Sequence, residues 1–164
     1  ALGHGLSVGV GMALAAKRDG ADYRVFTLMG DGEQAEGSIW EAAMSASHYP
    51  LDNLVAIIDH NQLQISGPVD KVMKLSLAKR WAAFGWEVLE VDGNDMAALV
   101  KLFDTLPSGQ GKPVLIIAHT VKGKGFSFME NETSWHHRVP TDSEMAIVAS
   151  ETSTALAKLQ GGVA

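Results

Sequence analysis

Hydrophobic residues fall along this chain in short unbroken runs separated by stretches of helical spacing. Leu54-Val55-Ala56-Ile57-Ile58 and the run through Val114, Leu115, Ile116, Ile117 and Ala118 are apolar at every position, which predicts strands buried on both faces. Residues 23–29 and 86–91 are also rich in strand formers. Between these runs the spacing is helical. Residues 6–17 combine Val8, Met12, Ala13, Leu14 and Ala16 with Gly9 and Gly11, a small-residue face that admits close backbone approach, and the helix should stop near Gly20. Residues 38–48 carry Ile39, Ala42, Ala43 and Ala46 ahead of Pro50, which completes a β-α-β unit with the strands on either side.

Further helices are expected over 77–84 and 96–106, the second capped by Asn94 or Asp95 after a turn at Asp92-Gly93 and followed by Pro107-Ser108-Gly109. Residues 60–75 read mainly as a loop carrying Gly67-Pro68. Trp81, Phe84 and Trp86 read as packing residues at a helix-to-strand junction. A long polar stretch runs to Pro140 before a last helix, capped by Thr141 or Asp142, with Ile147, Val148 and Leu156. Strands alternating with helices predict a three-layer α/β/α domain, a mainly parallel, doubly wound sheet covered on both faces, spanning 1–164 as a single domain. Functional groups then belong beyond the carboxyl ends of the strands, in 30–36, 59–66 and 120–137.

Composition removes several classes of function. The 13 Lys and Arg residues against 19 Asp and Glu give a formal net charge of -6, which argues against binding nucleic acid or an anionic membrane, so any phosphate must be held locally. Cysteine is absent, which excludes disulfides, thiolate metal sites and thiol nucleophiles. No apolar run approaches the roughly 20 residues that span a bilayer. The chain opens on Ala1-Leu2-Gly3 without features of a targeting segment.

Candidate chemistry concentrates at two of the expected strand ends. Gly30-Asp31-Gly32 follows the first strand and Asn61 the second, thirty residues further on. A carboxylate and a neutral amide oxygen suit Mg2+, or Ca2+, when phosphate oxygens complete the shell, and the carbonyl of Leu63 could supply a further ligand. Gly30 and Gly32 would let the backbone approach phosphates. Taken alone, the tripeptide is equally an ordinary turn and Asn61 a cap. A zinc site from His119, His136 and His137 lacks both a short ligand spacing and a completing carboxylate. His48 and His60 read as helix-end and strand-end residues. Neither a Gly-x-Gly-x-x-Gly after the first strand nor a phosphate-binding Gly-x-x-x-x-Gly-Lys sequence is present.

The stretch Gly30-Asp31-Gly32-Glu33-Gln34-Ala35-Glu36-Gly37-Ser38-Ile39-Trp40-Glu41-Ala42, ending thirty residues on in Asn61, resembles the cofactor signature of the transketolases, which are thiamine diphosphate enzymes. Upstream, Leu2-Gly3-His4-Gly5-Leu6-Ser7 resembles the family's glycine-rich helix start, and Lys122-Gly123-Lys124-Gly125 and Trp135-His136 follow in the family's order. The resemblance covers roughly residues 2–140, departing from it at His4, where glutamine is common, and at His137, where glycine is frequent.

The resemblance implies a thiamine diphosphate-binding fold and residue roles to match. Asp31 and Asn61 would hold the divalent ion through side chains and Leu63 through its carbonyl. Gly30 and Gly32 would lie at the diphosphate, Leu2 and Ile65 beside the cofactor rings, and Lys122 and His136 near the diphosphate, His136 also among the catalytic groups. Glu36, with Glu41, would join an acidic network at a dimer interface linking two cofactor sites, and Glu36 is thereby a catalytic candidate. Plainer readings leave Lys122 solvated, His136 a loop residue and both glutamates solvated at a helix start.

The implied reaction transfers a two-carbon ketol unit between sugar phosphates, as in the pentose phosphate pathway, in a cytoplasmic protein. The family also needs a pyrimidine-binding domain, and this chain has room for one domain. The expectation is therefore an N-terminal subunit of a split transketolase, incomplete at its N-terminus, inactive alone, and joined to a pyrimidine-binding C-terminal subunit in a dimer or heterotetramer. Other readings are a deoxyxylulose-phosphate or dihydroxyacetone synthase, or a noncatalytic α/β assembly domain.

Overall fold

The computed structural model describes residues 2–107 and 111–161. Ser108 and Gly109 of the turn expected after the 96–106 helix lie outside the described residues. Where the sequence suggests one domain, the chain divides into two compact units, Ala1–Thr120 and Val121–Ala164.

Among its described residues the first unit holds the helices α1 (Gly5–Asp19), α2 (Gly37–His48), α3 (Val69–Val72), α4 (Leu77–Ala83) and α5 (Met96–Phe103). Its strands are β1 (Val25–Gly30), β2 (Leu54–His60), β3 (Leu63–Gln64), β4 (Gly67–Pro68), β5 (Glu87–Asp92) and β6 (Val114–His119). The main sheet has the order β1-β2-β6-β5, and all three ladders are parallel. The chain steps from β1 to β2 and on to β5 in one direction, then reverses to lay β6 between β2 and β5. Crossovers of one hand therefore put α5 on the opposite face from α2 and α4.

Side-chain packing follows that geometry. On one face Leu6, Val10 and Ala13 of α1, Ile39, Ala43 and Ala46 of α2, and Leu77 and Trp81 of α4 bury against Val25, Met29, Leu54, Ala56, Ile58, Leu115 and Ile117. On the other, Val55, Val114 and Ile116 pack with Ile57, Leu89, Leu102, Phe103 and Leu106 beneath α5. The alternation of Leu54 and Val55, and of Leu115 and Ile116, between faces is the period-two geometry of a strand covered twice. Each fully buried side chain of this size stabilises the fold by roughly 1.5–3 kcal/mol.

β1 departs from the expectation of cover on both faces. Val25, Thr27 and Met29 are buried, whereas Phe26 and Leu28 are exposed, Leu28 by 71%. β1 is an edge strand, and Phe103 of α5 meets it at the Phe26 ring. The tight α1–β1 approach on the inner side depends on Gly9, where a Cβ would come within 2.5 Å of Thr27 Oγ1.

Several ends shift for local reasons. α1 stops at Gly20, whose φ of 67° closes the helix with its N–H on the Ala16 carbonyl. Asp95, rather than Asn94, caps α5, its Oδ1 accepting from the N–H groups of Ala97 and Ala98. That helix ends at Phe103, and Leu106 turns inward as a buried residue. Residues 60–75 are less loop-like than expected, since Leu63 pairs with Pro68 and Gln64 with Gly67 in a small antiparallel hairpin that runs into α3. The Trp81–Trp86 junction packs as expected, with ring centroids 4.7 Å apart and Trp86 Nε1–H donating to the Ala43 carbonyl.

The second unit contains a 3-10 turn, Thr133–His136, and α6 (Asp142–Gly161). Thr141 and Glu144 form a capping box: the Glu144 carboxylate accepts from the Thr141 N–H at 2.8 Å, while Thr141 Oγ1 faces the Glu144 N–H. No described helix of either unit is long and apolar enough to cross a membrane.

Candidate cofactor and metal site

β1, β2 and β6 are parallel neighbours, so Gly30, His60 and His119 end on one edge of the sheet, with Gly30 in register with Asp59 and His60 with His119. Asp31 follows Gly30 and opens the 3-10 turn Gly32–Ala35. Its side chain is 2% exposed. A carboxylate so buried requires donors, and three are supplied. Oδ1 accepts from the Gly32 N–H at 2.7 Å, and Oδ2 accepts from the Gln62 N–H at 2.6 Å and from His60 Nδ1 at 3.2 Å. Oδ2 is saturated, and Oδ1 retains a lone pair.

Asn61 lies beside this group because the next residue, Gln62, is bonded to Asp31. Its amide is oriented by its neighbours: Nδ2 donates to Asp59 Oδ2 at 3.2 Å, and Oδ1 accepts from the Leu63 N–H at 3.0 Å. Asp59 is itself held, its Oδ1 accepting from the Thr120 hydroxyl. Gln62 adopts a φ of 63°, a left-handed conformation unusual for a residue with a side chain, and this bends the chain from β2 into the hairpin. The hairpin sits close to the first strand end, since a Cβ on Gly32 would lie 2.8 Å from Gln64 Oε1.

These donors fit a hard divalent cation. A carboxylate oxygen with a free lone pair and an amide oxygen stand at two adjacent strand ends. They leave an octahedral ion dependent on phosphate and water for the rest of its shell. A Cβ on Gly30 would meet nothing within 4 Å, so the strand end opens onto free space rather than packed protein. Among the described residues no three His, Asp or Glu side chains are grouped as a metal site, the zinc arrangement of His119, His136 and His137 included.

The apolar candidates Leu2 and Ile65 are exposed by 69% and 59%. Glu36 is the N-cap of α2 without a side-chain cap bond, and it is exposed, as is Glu41. The N–H of Gly30, expected at the diphosphate, is already donated to Glu33 Oε2 at 3.1 Å. Lys122 and His136 belong to the second unit, where they are close enough to interact. Desolvation of its ring, then the Lys122 ammonium and then His137, lower the His136 pKa below the ordinary imidazole value. The ring is therefore neutral at pH 7, able to donate one N–H without carrying charge. Next to it Arg138 stacks 4.3 Å from the Trp135 ring and pairs with Glu144.

Sequence reasoning missed three residues here. His60 reads as a mere strand end but holds the Asp31 carboxylate. Asp59 orients Asn61, and Glu33 joins two backbone segments. The parallel register of β1 and β2 was the available signal for the first two. His119 also contributes, its ring meeting His60 edge-on at 5.3 Å and its Nε2–H donating to Glu90 at 2.7 Å.

A family model described as the thiamine diphosphate binding domain of transketolase matches residues 1–153. The chain is 56% identical over 161 residues to an apulose-4-phosphate transketolase subunit of Phocaeicola vulgatus, covering 98% of this chain and 57% of that protein. It is 42% identical over 142 residues to a 6-deoxy-6-sulfo-D-fructose transketolase subunit of a Clostridium species, covering 86% of this chain and 52% of that one. Its fold is similar to that of crystalline transketolase from Campylobacter jejuni, with a TM-score of 0.77 and 34% identity over 81% of this chain and 22% of that one. The chain spans about half the length of the curated subunits it matches. With a parallel sheet carrying the Gly-Asp-Gly turn and Asn61 at adjacent strand ends, the chain belongs to the transketolase family, as its thiamine diphosphate-binding domain.

Proposed function

We propose that this chain is the diphosphate-binding part of a transketolase-type transferase, moving a two-carbon ketol unit between sugar phosphates together with a pyrimidine-binding partner subunit. The observation that carries the reading is the pair of oriented side-chain oxygens of Asp31 and Asn61 just beyond the ends of β1 and β2. In this reading Asp31 and Asn61 bind Mg2+ through their side chains and Leu63 through its carbonyl, with Ca2+ an acceptable substitute. Gly30 and Gly32 give the diphosphate room at the strand end. Lys122 and His136 donate to its oxygens, and the exposed Leu2 and Ile65 side chains flank the rings. When bound, thiamine diphosphate supplies the nucleophilic carbon that takes up and hands on the ketol unit. The protein anchors, orients and neutralises.

The partner is supported by the names of the relatives, which call them subunits. The exposed Glu36 and Glu41 support an acidic network between subunits in a dimer or heterotetramer, where carboxylates brought together share protons. The relatives' names specify a phosphorylated sugar in one case and a sulfo-sugar in the other, which favours a donor with an anionic terminus.

The test is calorimetric titration of the assembled protein with thiamine diphosphate, with and without Mg2+, followed by a donor and acceptor screen. Saturable, Mg2+-dependent binding and ketol transfer between sugar phosphates are expected. Absence of such binding, or turnover only with pyruvate as donor, overturns the reading.

A further inference from the structure

Glu33 lies in the 3-10 turn that follows Asp31, half-buried, and its two carboxylate oxygens go to different parts of the chain. Oε1 accepts from the Gly3 N–H at 2.8 Å, and Oε2 accepts from the Gly30 N–H at 3.1 Å. The carbonyl of Gly3 is held independently, accepting from the Ser38 hydroxyl at 2.7 Å. Both polar groups of Gly3 are thus consumed by the 3-10 turn after β1 and the first turn of α2. Gly3 is buried, has a φ of 81°, and leaves no space for a side chain: a Cβ would lie 2.9 Å from Ser38 Oγ and 3.0 Å from Glu36 Cβ. The turn that carries Leu2 is therefore fixed from two sides.

We infer that Glu33 is a positioning residue for thiamine diphosphate, its carboxylate tying the Leu2–His4 turn to the end of β1. The inference rests on the function proposed above and adds a residue to which that reading gives no role. Hydrogen bonds to an ionised carboxylate are roughly twice as strong as neutral ones, so a single side chain suffices to hold two segments. With the tie in place, Leu2 stands at a set distance from the Gly30-Asp31-Gly32 turn, and one ligand can meet an apolar group and a phosphate-and-metal anchor without first ordering the chain.

A carboxylate on a strand-end N–H could instead be an internal anion that the diphosphate must displace. The geometry favours the tie, because only one oxygen faces Gly30 while the other grips Gly3, which Ser38 holds separately. The two roles predict opposite signs. Removing a tie weakens cofactor binding, and removing a displaceable anion tightens it.

The experiment compares wild type, Glu33→Ala, Glu33→Gln and Ser38→Ala in the assembled protein, titrating thiamine diphosphate calorimetrically at saturating Mg2+. Outer partners of a cofactor or metal are typically worth 10–100-fold, so Glu33→Ala is expected to weaken binding about 10-fold or more. Glu33→Gln should recover part of this, since its one amide oxygen can still accept from one N–H. Ser38→Ala should give a smaller loss of the same sign. The apparent cofactor affinity should move more than turnover at saturating cofactor. Amide exchange at Gly3 should accelerate in Glu33→Ala without any cofactor present. Unchanged or tighter binding in Glu33→Ala, or unchanged exchange at Gly3, overturns the inference. If Ser38→Ala alone folds well, its binding decides the sign. A wild-type protein that binds no cofactor would overturn the proposed function, and the role of Glu33 with it, whereas normal wild-type binding with unaffected variants overturns the role of Glu33 alone.

Discussion

The two units of the chain are held by different physics. In the first, the sheet and its helices bury a continuous apolar core, with Leu54, Ile58, Trp81 and Leu115 removed from solvent. In the second, none of the described residues is buried, and order comes from local polar contacts: Ser127 with Glu151, Gly125 with Glu130, Thr141 and Arg138 with Glu144. The candidate residues divide along the same line. The oxygen donors Asp31 and Asn61 stand on packed strands, where a displacement would disturb the core. The cationic and imidazole groups Lys122 and His136 stand on turns whose hydrogen bonds compete with water. The lesson is that the candidate residues of the two units should respond differently to mutation, salt and pH.

The largest difference is expected in stability. Trp81→Ala removes a fully buried ring and should cost about 3–5 kcal/mol, whereas Trp135→Ala removes a half-buried ring and its contact with Arg138 and should cost about 1 kcal/mol. Urea unfolding of both variants would break the comparison if the two losses were equal. Next comes cofactor binding. Asp31→Ala should weaken Mg2+-dependent binding of thiamine diphosphate by at least about 100-fold, the upper end of what even outer partners of a metal contribute, as read by calorimetry. Lys122→Met should cost only about 10-fold, and that loss should shrink as salt is raised, because a half-buried charge that water still reaches is screened more than a fully buried ligand. Equal salt dependence of the two variants would remove the distinction.

The smallest effect is on pH. The His136 pKa is lowered below 6.5 in the folded chain, so below that value the unfolded state binds more protons than the folded one. This group's contribution to stability is therefore complete above pH 6.5 and is lost as the pH falls from 6.5 through the lowered value. His136→Gln should flatten that part of the stability profile slightly, since the ring is largely exposed. A bound diphosphate has the opposite influence and favours the protonated ring, so cofactor affinity should rise modestly as the solution is acidified across the same interval.

Much of the first unit was legible because its strands announce themselves. Leu54 and Val55, like Leu115 and Ile116, are apolar on opposite sides of the chain, and only a doubly covered strand accommodates that. β1 misleads for the same reason: Phe26 and Leu28 are as apolar as Val25 and Met29, so nothing local distinguishes the open face from the covered one. The hairpin at 63–68 was missed because two-residue strands have no period to detect, and the left-handed backbone at Gln62 has no signature in a glutamine. In the candidate site, the placement of Asp31 and Asn61 beyond neighbouring strand ends was legible through their spacing. His60, Asp59 and Glu33 were not, because their roles arise from register and from contacts across about thirty residues of chain. The division into two units was also invisible, since the run 119–140 carries no interruption that marks a boundary.

The strand order has a consequence for how the molecule comes into being. Among the described strands β6 is the last to leave the ribosome, yet it lies between β2 and β5. Until it arrives, β5 has no partner in the main sheet, and β2 presents one unpaired backbone edge. The Thr120 hydroxyl that secures Asp59, and through it Asn61, follows one residue after β6 ends. The nascent chain therefore carries Asn61 for some sixty residues of synthesis before the element that locks it appears. Closing non-local parallel ladders late is slow and leaves edges open to misassociation. A chain stopped short of residue 114 loses more than its tail: it loses the keystone of the sheet.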